Sequence, residues 1–178
     1  MITEATTNLI TDVITDDLNT NAQDYLTFNL GDEVFGINIL FIKEIIEYGK
    51  ITVVPQMPKF LAGIINLRGR VVPVVNLSLR LGKPALSAQK KSCIVVAEVK
   101  HDSEIKEIGV IVDSVSEVLK IAATSIDKIP AFGAKLPPDF VFGIAKIDNT
   151  FSILIDPERV LSFEEIAAIS ASASLKSD

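Results

Sequence analysis

Apolar residues fall at alternate positions in short runs along this chain, and the runs come in pairs. Leu26, Phe28 and Leu30 share one face of Tyr25-Leu-Thr-Phe-Asn-Leu30, Gly31-Asp-Glu33 supplies a turn, and Val34-Phe-Gly-Ile-Asn-Ile39 follows, which predicts a β-hairpin. Cys93 to Val99 and Ile108 to Val112 predict a second hairpin, joined by a longer charged loop. Gly63 to Asn66 and Arg70 to Val75 predict a third, linked through Leu67-Arg68-Gly69, where glycine supplies the positive φ of a tight link. Gly143 to Ile147 and Thr150 to Ile155 predict a fourth, linked through Asp148-Asn149. Helix is expected only in short pieces. Asn76 caps Leu77 to Leu81 before Gly82, Asp156 with Pro157 starts Glu158 to Leu161, and Ser162-Phe-Glu-Glu165 is a capping box for a last helix through about Ile169.

The pairs belong to a longer repetition. Pro58-Lys-Phe-Leu-Ala-Gly-Ile-Ile65 returns eighty positions later as Pro138-Asp-Phe-Val-Phe-Gly-Ile-Ala145, and Val71 to Asn76 returns as Phe151 to Asp156. With an offset of seventy-three, Gly36 falls on Gly109, Glu44 on Glu117, Ile45 on Val118 and Ile46 on Leu119. Two copies of one β-rich unit are present, and their differences are where a specific job is to be sought. Some ten short strands in two similar groups predict two small closed barrels, because closure removes the exposed edges of an open sheet. Residues 1 to 22, rich in Thr, Asn and Asp, are expected to form a disordered tail, the folded unit to run from 23 to 163, and 164 to 178 to form a helix and tail.

Bulk properties narrow the function. A chain of 178 residues is long enough to bury roughly 70% of its unfolded surface. No apolar run reaches the length of a membrane span and no signal sequence opens the chain, so a soluble cytoplasmic protein without direct membrane insertion is expected. A net charge of -6 argues against nucleic acid as partner. The single cysteine, Cys93, opens an apolar strand and reads as a buried hydrophobe, and the single histidine, His101, lies in a charged loop with no second ligand for a metal. There is no glycine-rich phosphate cradle, HExxH or CxxC, so neither a cofactor nor catalysis is expected.

The hairpin Gly63-Ile-Ile-Asn-Leu-Arg-Gly-Arg-Val-Val-Pro-Val-Val-Asn-Leu77 resembles the CheW family of chemotaxis adaptors, as do Ile42-Lys-Glu-Ile-Ile46, Ile108-Gly-Val-Ile-Val-Asp113, Val115-Ser-Glu-Val-Leu119 and Phe142-Gly-Ile-Ala145. The resemblance spans about residues 23 to 163. It implies two intertwined five-stranded barrels of the Src-homology-3 type, no enzymatic activity, and a bridging role between the cytoplasmic helices of methyl-accepting chemoreceptors and the regulatory domain of the histidine kinase CheA, at membrane-associated receptor arrays. Nothing here resembles the receiver or kinase domains fused to this module in CheV and CheA, which favours a free-standing adaptor.

Candidate contact residues follow from both readings. Arg68 stands at a hairpin tip where the second unit has Asp148, so the turn itself does not demand arginine; without the resemblance a solvated loop arginine is the commoner fate, and with it receptor contact is expected. Glu44 recurs as Glu117, which favours a shared structural role, yet the family places receptor binding at Glu44. For Ile42, Val115 and Val118, core packing is the default, while the resemblance sets them along a groove between barrels that grips a receptor helix. Gly109 is expected either to admit that helix closely or to meet a backbone requirement shared with Gly36. Pro55, Pro58, Pro130, Pro137 and Pro138 read as rigid links. The residues that contact the kinase are not legible. Two alternatives remain: a CheW-like adaptor of a surface-motility or biofilm system, and a small barrel enzyme using Asp113, Asp148 or Glu44 as acid–base groups.

Overall fold

The computed structural model describes residues 21–85, 90–128 and 140–161. Residues 1 to 20 of the tail expected over 1 to 22, the capping box at Ser162 with its helix, and Pro130, Pro137 and Pro138 lie outside them. The described residues form eleven strands and two single-turn helices: β1 (Gln23–Leu30), β2 (Glu33–Asn38), β3 (Ile42–Glu47), β4 (Leu61–Leu67), β5 (Arg70–Asn76), α1 (Leu77–Arg80), β6 (Cys93–His101), β7 (Glu104–Val112), β8 (Ser114–Ile121), β9 (Ile126–Asp127), β10 (Val141–Ile147), β11 (Thr150–Ile155) and α2 (Pro157–Val160). Asn76 and Asp156 cap the helices as expected, accepting from the backbone N–H groups of Leu79 and Glu158.

The strands make two sheets, ordered β8-β1-β2-β11-β10-β9 and β3-β6-β7-β5-β4. Each sheet borrows from the other half of the chain. The opening hairpin of the first unit, β1–β2, sits among strands of the second unit, and the opening hairpin of the second, β6–β7, sits among strands of the first. The units are therefore intertwined.

Both sheets curl, and chain length shows why. β8 and β9 lie at opposite edges of their sheet, yet only five residue steps lead from Ile121, paired with Gln23, to Ile126, paired with Ala145. Five extended residues span at most about 18 Å, whereas five strand spacings in a flat sheet span roughly 24 Å. The other sheet repeats the arrangement: Glu47 pairs with Cys93 at one edge, and Thr52 bridges Ile64 at the other. A single segment thus meets both edges of each sheet and closes the ring through the covalent chain rather than through a β3–β4 or β8–β9 ladder. With that segment counted once, each ring has five members.

Closure needs room, and glycine provides it. A Cβ at Gly63 would stand 2.2 Å from the Thr52 carbonyl oxygen, and one at Gly143 would stand 2.5 Å from Ile126 Cγ2. Three apolar clusters follow from this geometry. Ile65, Leu67, Val72, Val74, Ile94 and Val96 fill one ring, and Tyr25, Ile121, Ala145 and Leu154 fill the other. The largest, with Leu26, Phe28, Leu30, Phe35, Ile37, Val95, Ala97, Ile108 and Val110, lies between the sheets. The shared face of Leu26, Phe28 and Leu30 read from alternation is the face turned to this middle layer.

Two expectations are corrected. Residues 100 to 107 are not a long loop: β6 and β7 continue to His101 and Glu104 around a turn at Asp102 and Ser103. Apart from exposed Ile105 their side chains are polar, because this hairpin end projects into solvent while backbone pairing continues. Of the three apolar candidates expected at strand ends or in loops, Ile42 opens β3 and Val115 lies next to the start of β8, whereas Val118 lies within β8.

Candidate functional site

The β4–β5 turn places Arg68 and Gly69 between the paired residues Leu67 and Arg70, with φ of 51 and 83. Positive φ at both central positions is the hairpin geometry that favours Asn, Asp and Gly. The equivalent turn uses favoured types, Asp148 and Asn149, with φ of 47 and 63. The two turns share a shape, and arginine is a poor residue for it. What arginine adds is its fork: Nη1 and Nη2 of Arg68 each donate to an oxygen of the Glu44 carboxylate on β3, both at 2.9 Å. This hydrogen bonding, and then the charge of Glu44, raises the Arg68 pKa above its ordinary value. The carboxylate side chain is 20% exposed and that of Arg68 68%, so the pair presents the guanidinium outward.

More charge gathers beside it. Lys43 pairs with Glu107 and lies 3.7 Å from Glu98, and Arg70 Nη1 is 3.0 Å from Glu107 Oε1. The second unit builds the same rim without a cation. Ser116 replaces Lys43 and Asn29 replaces Glu98, and the Asn29 amide donates to Ser114 Oγ at 2.9 Å and Ser116 Oγ at 3.0 Å. Asp148 replaces Arg68. The two rims therefore share a backbone and differ in chemistry.

The remaining sequence candidates divide. Ile42, opposite Ala97, and Val115, opposite Phe28, come from different sheets, and both pack half-buried on the middle cluster. Val118, opposite Leu26, is 47% exposed, and its repeat equivalent Ile45 is exposed too. Gly109 is buried between Val96 and Val74, and a Cβ there would stand 2.9 Å from Ile94 Cγ2 and 3.3 Å from Val74 Cγ2, inside the first ring. Its place is explained by packing, which is also why Gly36, 2.8 Å from Leu154 Cδ2 by the same measure, recurs in the other ring.

The carboxylates of the enzyme alternative hold separate posts. The Asp113 carboxylate accepts the Gly31 N–H at 2.6 Å, Glu44 holds Arg68, and Asp148 forms a turn. Sequence reasoning missed Phe142 and Phe151, 58% and 62% exposed on the β10–β11 hairpin. The signal was available in the repeat, since these phenylalanines replace Ala62 and Val71. Among the described residues, no helix is long and apolar enough to cross a membrane.

Known proteins resemble this chain in sequence and fold. The family described as CheW-like domain matches residues 24–165. The chemotaxis protein CheW of Klebsiella aerogenes is 33% identical over 150 residues, covering 84% of this chain and 88% of that protein. The chemotaxis protein CheW of Thermotoga maritima is 35% identical over 144 residues, covering 79% and 87%. In structure, the scaffolding protein TtCheW from Thermoanaerobacter tengcongensis superposes with a TM-score of 0.69 at 35% identity, covering 75% of this chain and 84% of that one.

Proposed function

The chain belongs to the CheW-like domain family, and we propose that it works as a chemotaxis scaffold coupling the cytoplasmic helices of chemoreceptors to the regulatory domain of CheA, in the cytoplasm at receptor arrays. The observation that carries the receptor half is the Arg68–Glu44 fork, held on a turn whose other copy does without arginine. A guanidinium whose orientation is set by a carboxylate beneath it offers a partner both charge and a flat apolar face. Half-buried Ile42 and Val115, with exposed Val118, supply apolar contact for a helix carrying an apolar stripe. Contact with the kinase is assigned to the second ring, where Phe142 and Phe151 expose aromatic area of the kind found at binding hot spots. Binding energy spread over two faces, with no group reacting, is the chemistry of a non-enzymatic adaptor.

The test is titration calorimetry of the full chain against a CheA regulatory domain and, separately, a receptor cytoplasmic fragment. Binding to both is expected; absence of heat with the kinase domain at about 50 μM, where even a weak specific complex forms, overturns the reading.

A further inference from the structure

The two helical turns occupy equivalent points of the repeat, so that Phe60 corresponds to Phe140, Asn76 to Asp156, and Arg80 to Val160. Their backbones agree: the Asn76 N–H donates to the Phe60 carbonyl at 2.7 Å, and the Asp156 N–H to the Phe140 carbonyl at 3.0 Å. Leu81 and Leu161, again equivalent and both buried, fill matching places in the middle cluster. Halves related by an approximate two-fold axis have room for only one side chain at a point on that axis. Arg80 takes it. Its guanidinium carbon lies 4.7 Å from the centroid of the Phe60 ring and 4.7 Å from that of Phe140, and its Nε donates to the Val160 carbonyl at 2.9 Å.

The contacts join the two rings. Arg80 and Phe60 flank strands of the first sheet, and Phe140 and Val160 flank strands of the second. A planar cation stacks between two aromatic faces that each carry negative potential, and its Nε–H, lying in the same plane, remains free to meet a carbonyl at the edge. Lysine has neither the plane nor that donor. Because each sheet contains a hairpin from the other unit, the rings cannot part, and any motion between them is a rocking of one against the other.

We propose that Arg80 is a pin on the pseudo-two-fold axis that restrains this rocking, so that strain applied at the Arg68–Glu44 rim of the first ring reaches the Phe142–Phe151 face of the second; the relay half rests on the function proposed above. The pin is tested on the isolated chain. Spin labels at Val53→Cys on the first ring and Thr124→Cys on the second, both exposed positions, in a Cys93→Ala background, report the distance between rings by pulsed electron resonance. Arg80→Met removes charge and donor, and Arg80→Lys, which keeps charge and stem, guards against loss of the fold. The expected result is a wider or displaced distance distribution in both variants with unchanged circular dichroism. A distribution superimposable on that of the parent in the folded Arg80→Lys chain overturns the pin.

The relay is read in a receptor–kinase assembly. Variants are expected to bind each partner as the parent does and to lose receptor-dependent kinase activation. Full activation by a variant with a displaced distribution overturns the relay and leaves the pin, whereas a parent chain that binds neither partner removes the proposed function instead.

Discussion

Arg68 sits where its backbone conformation is unfavourable and its guanidinium holds Glu44, and the two can be separated by substitution. Arg68→Asn keeps the turn, since asparagine accepts positive φ readily, and removes the fork. Receptor binding is expected to fall by tenfold or more, about 1.4 kcal/mol or above, with the melting temperature unchanged or slightly higher. Arg68→Glu should weaken binding at least as much, because it sets a second carboxylate against Glu44. A large loss of thermal stability in either variant would mark the pair as structural, contrary to the small contribution usual for exposed ion pairs. Gly109 predicts the opposite pattern. Gly109→Ala forces a Cβ between Ile94 and Val74, so urea denaturation should show a loss of about 1–3 kcal/mol, while receptor affinity of the folded fraction is retained.

At the scale of elements, the closing segments explain why each unit has the residues it has. Gly63 stands under the Thr52 carbonyl with no room for a methyl group. Gly63→Ala must therefore push the closing segment off β4, and a loss of at least about 2 kcal/mol is expected by the same denaturation assay. β1 shows a titratable consequence of burial. Tyr25 packs inside the second ring, and burial raises its pKa above the ordinary 10.0, a hydrogen bond with the Asn38 side chain opposing in part. The folded chain then holds this proton more tightly than the unfolded chain. Its contribution is full below pH 10 and is lost as pH rises through the raised value. Stability of the parent chain should accordingly decline more steeply above pH 10 than that of Tyr25→Phe, which has no phenol to ionise; parallel curves would refute the assignment.

Over the whole molecule, intertwining decides how the chain folds. Neither ring can form from one unit, because β1–β2 completes the second and β6–β7 completes the first. Residues 1–85 and 90–178, produced separately, are expected to be unfolded by circular dichroism and to regain structure when mixed; a folded single fragment would contradict this. The whole chain should unfold in one transition. Alternation and turn chemistry made four hairpins and both helix caps legible, since those signals are local. The repeat made the asymmetry of Arg68 and Asp148 legible, because two copies of one turn act as controls for each other. β3 and β8 were not read as strands: Ile42-Lys-Glu-Ile-Ile46 and Val115-Ser-Glu-Val-Leu119 put apolar residues next to each other, as an edge strand that bends around a ring requires. The sequence by itself determined the hairpins, their pairing into two like units, and the position at which those units diverge in charge, all properties of nearby residues or of comparison between copies. Only the tertiary structure decided which hairpin enters which ring, that Gly109 faces a core, that Glu44 receives Arg68, and that Arg80 lies between two phenylalanines. Those facts depend on contacts between residues distant in the chain, and a linear pattern carries no record of which distant partners will meet.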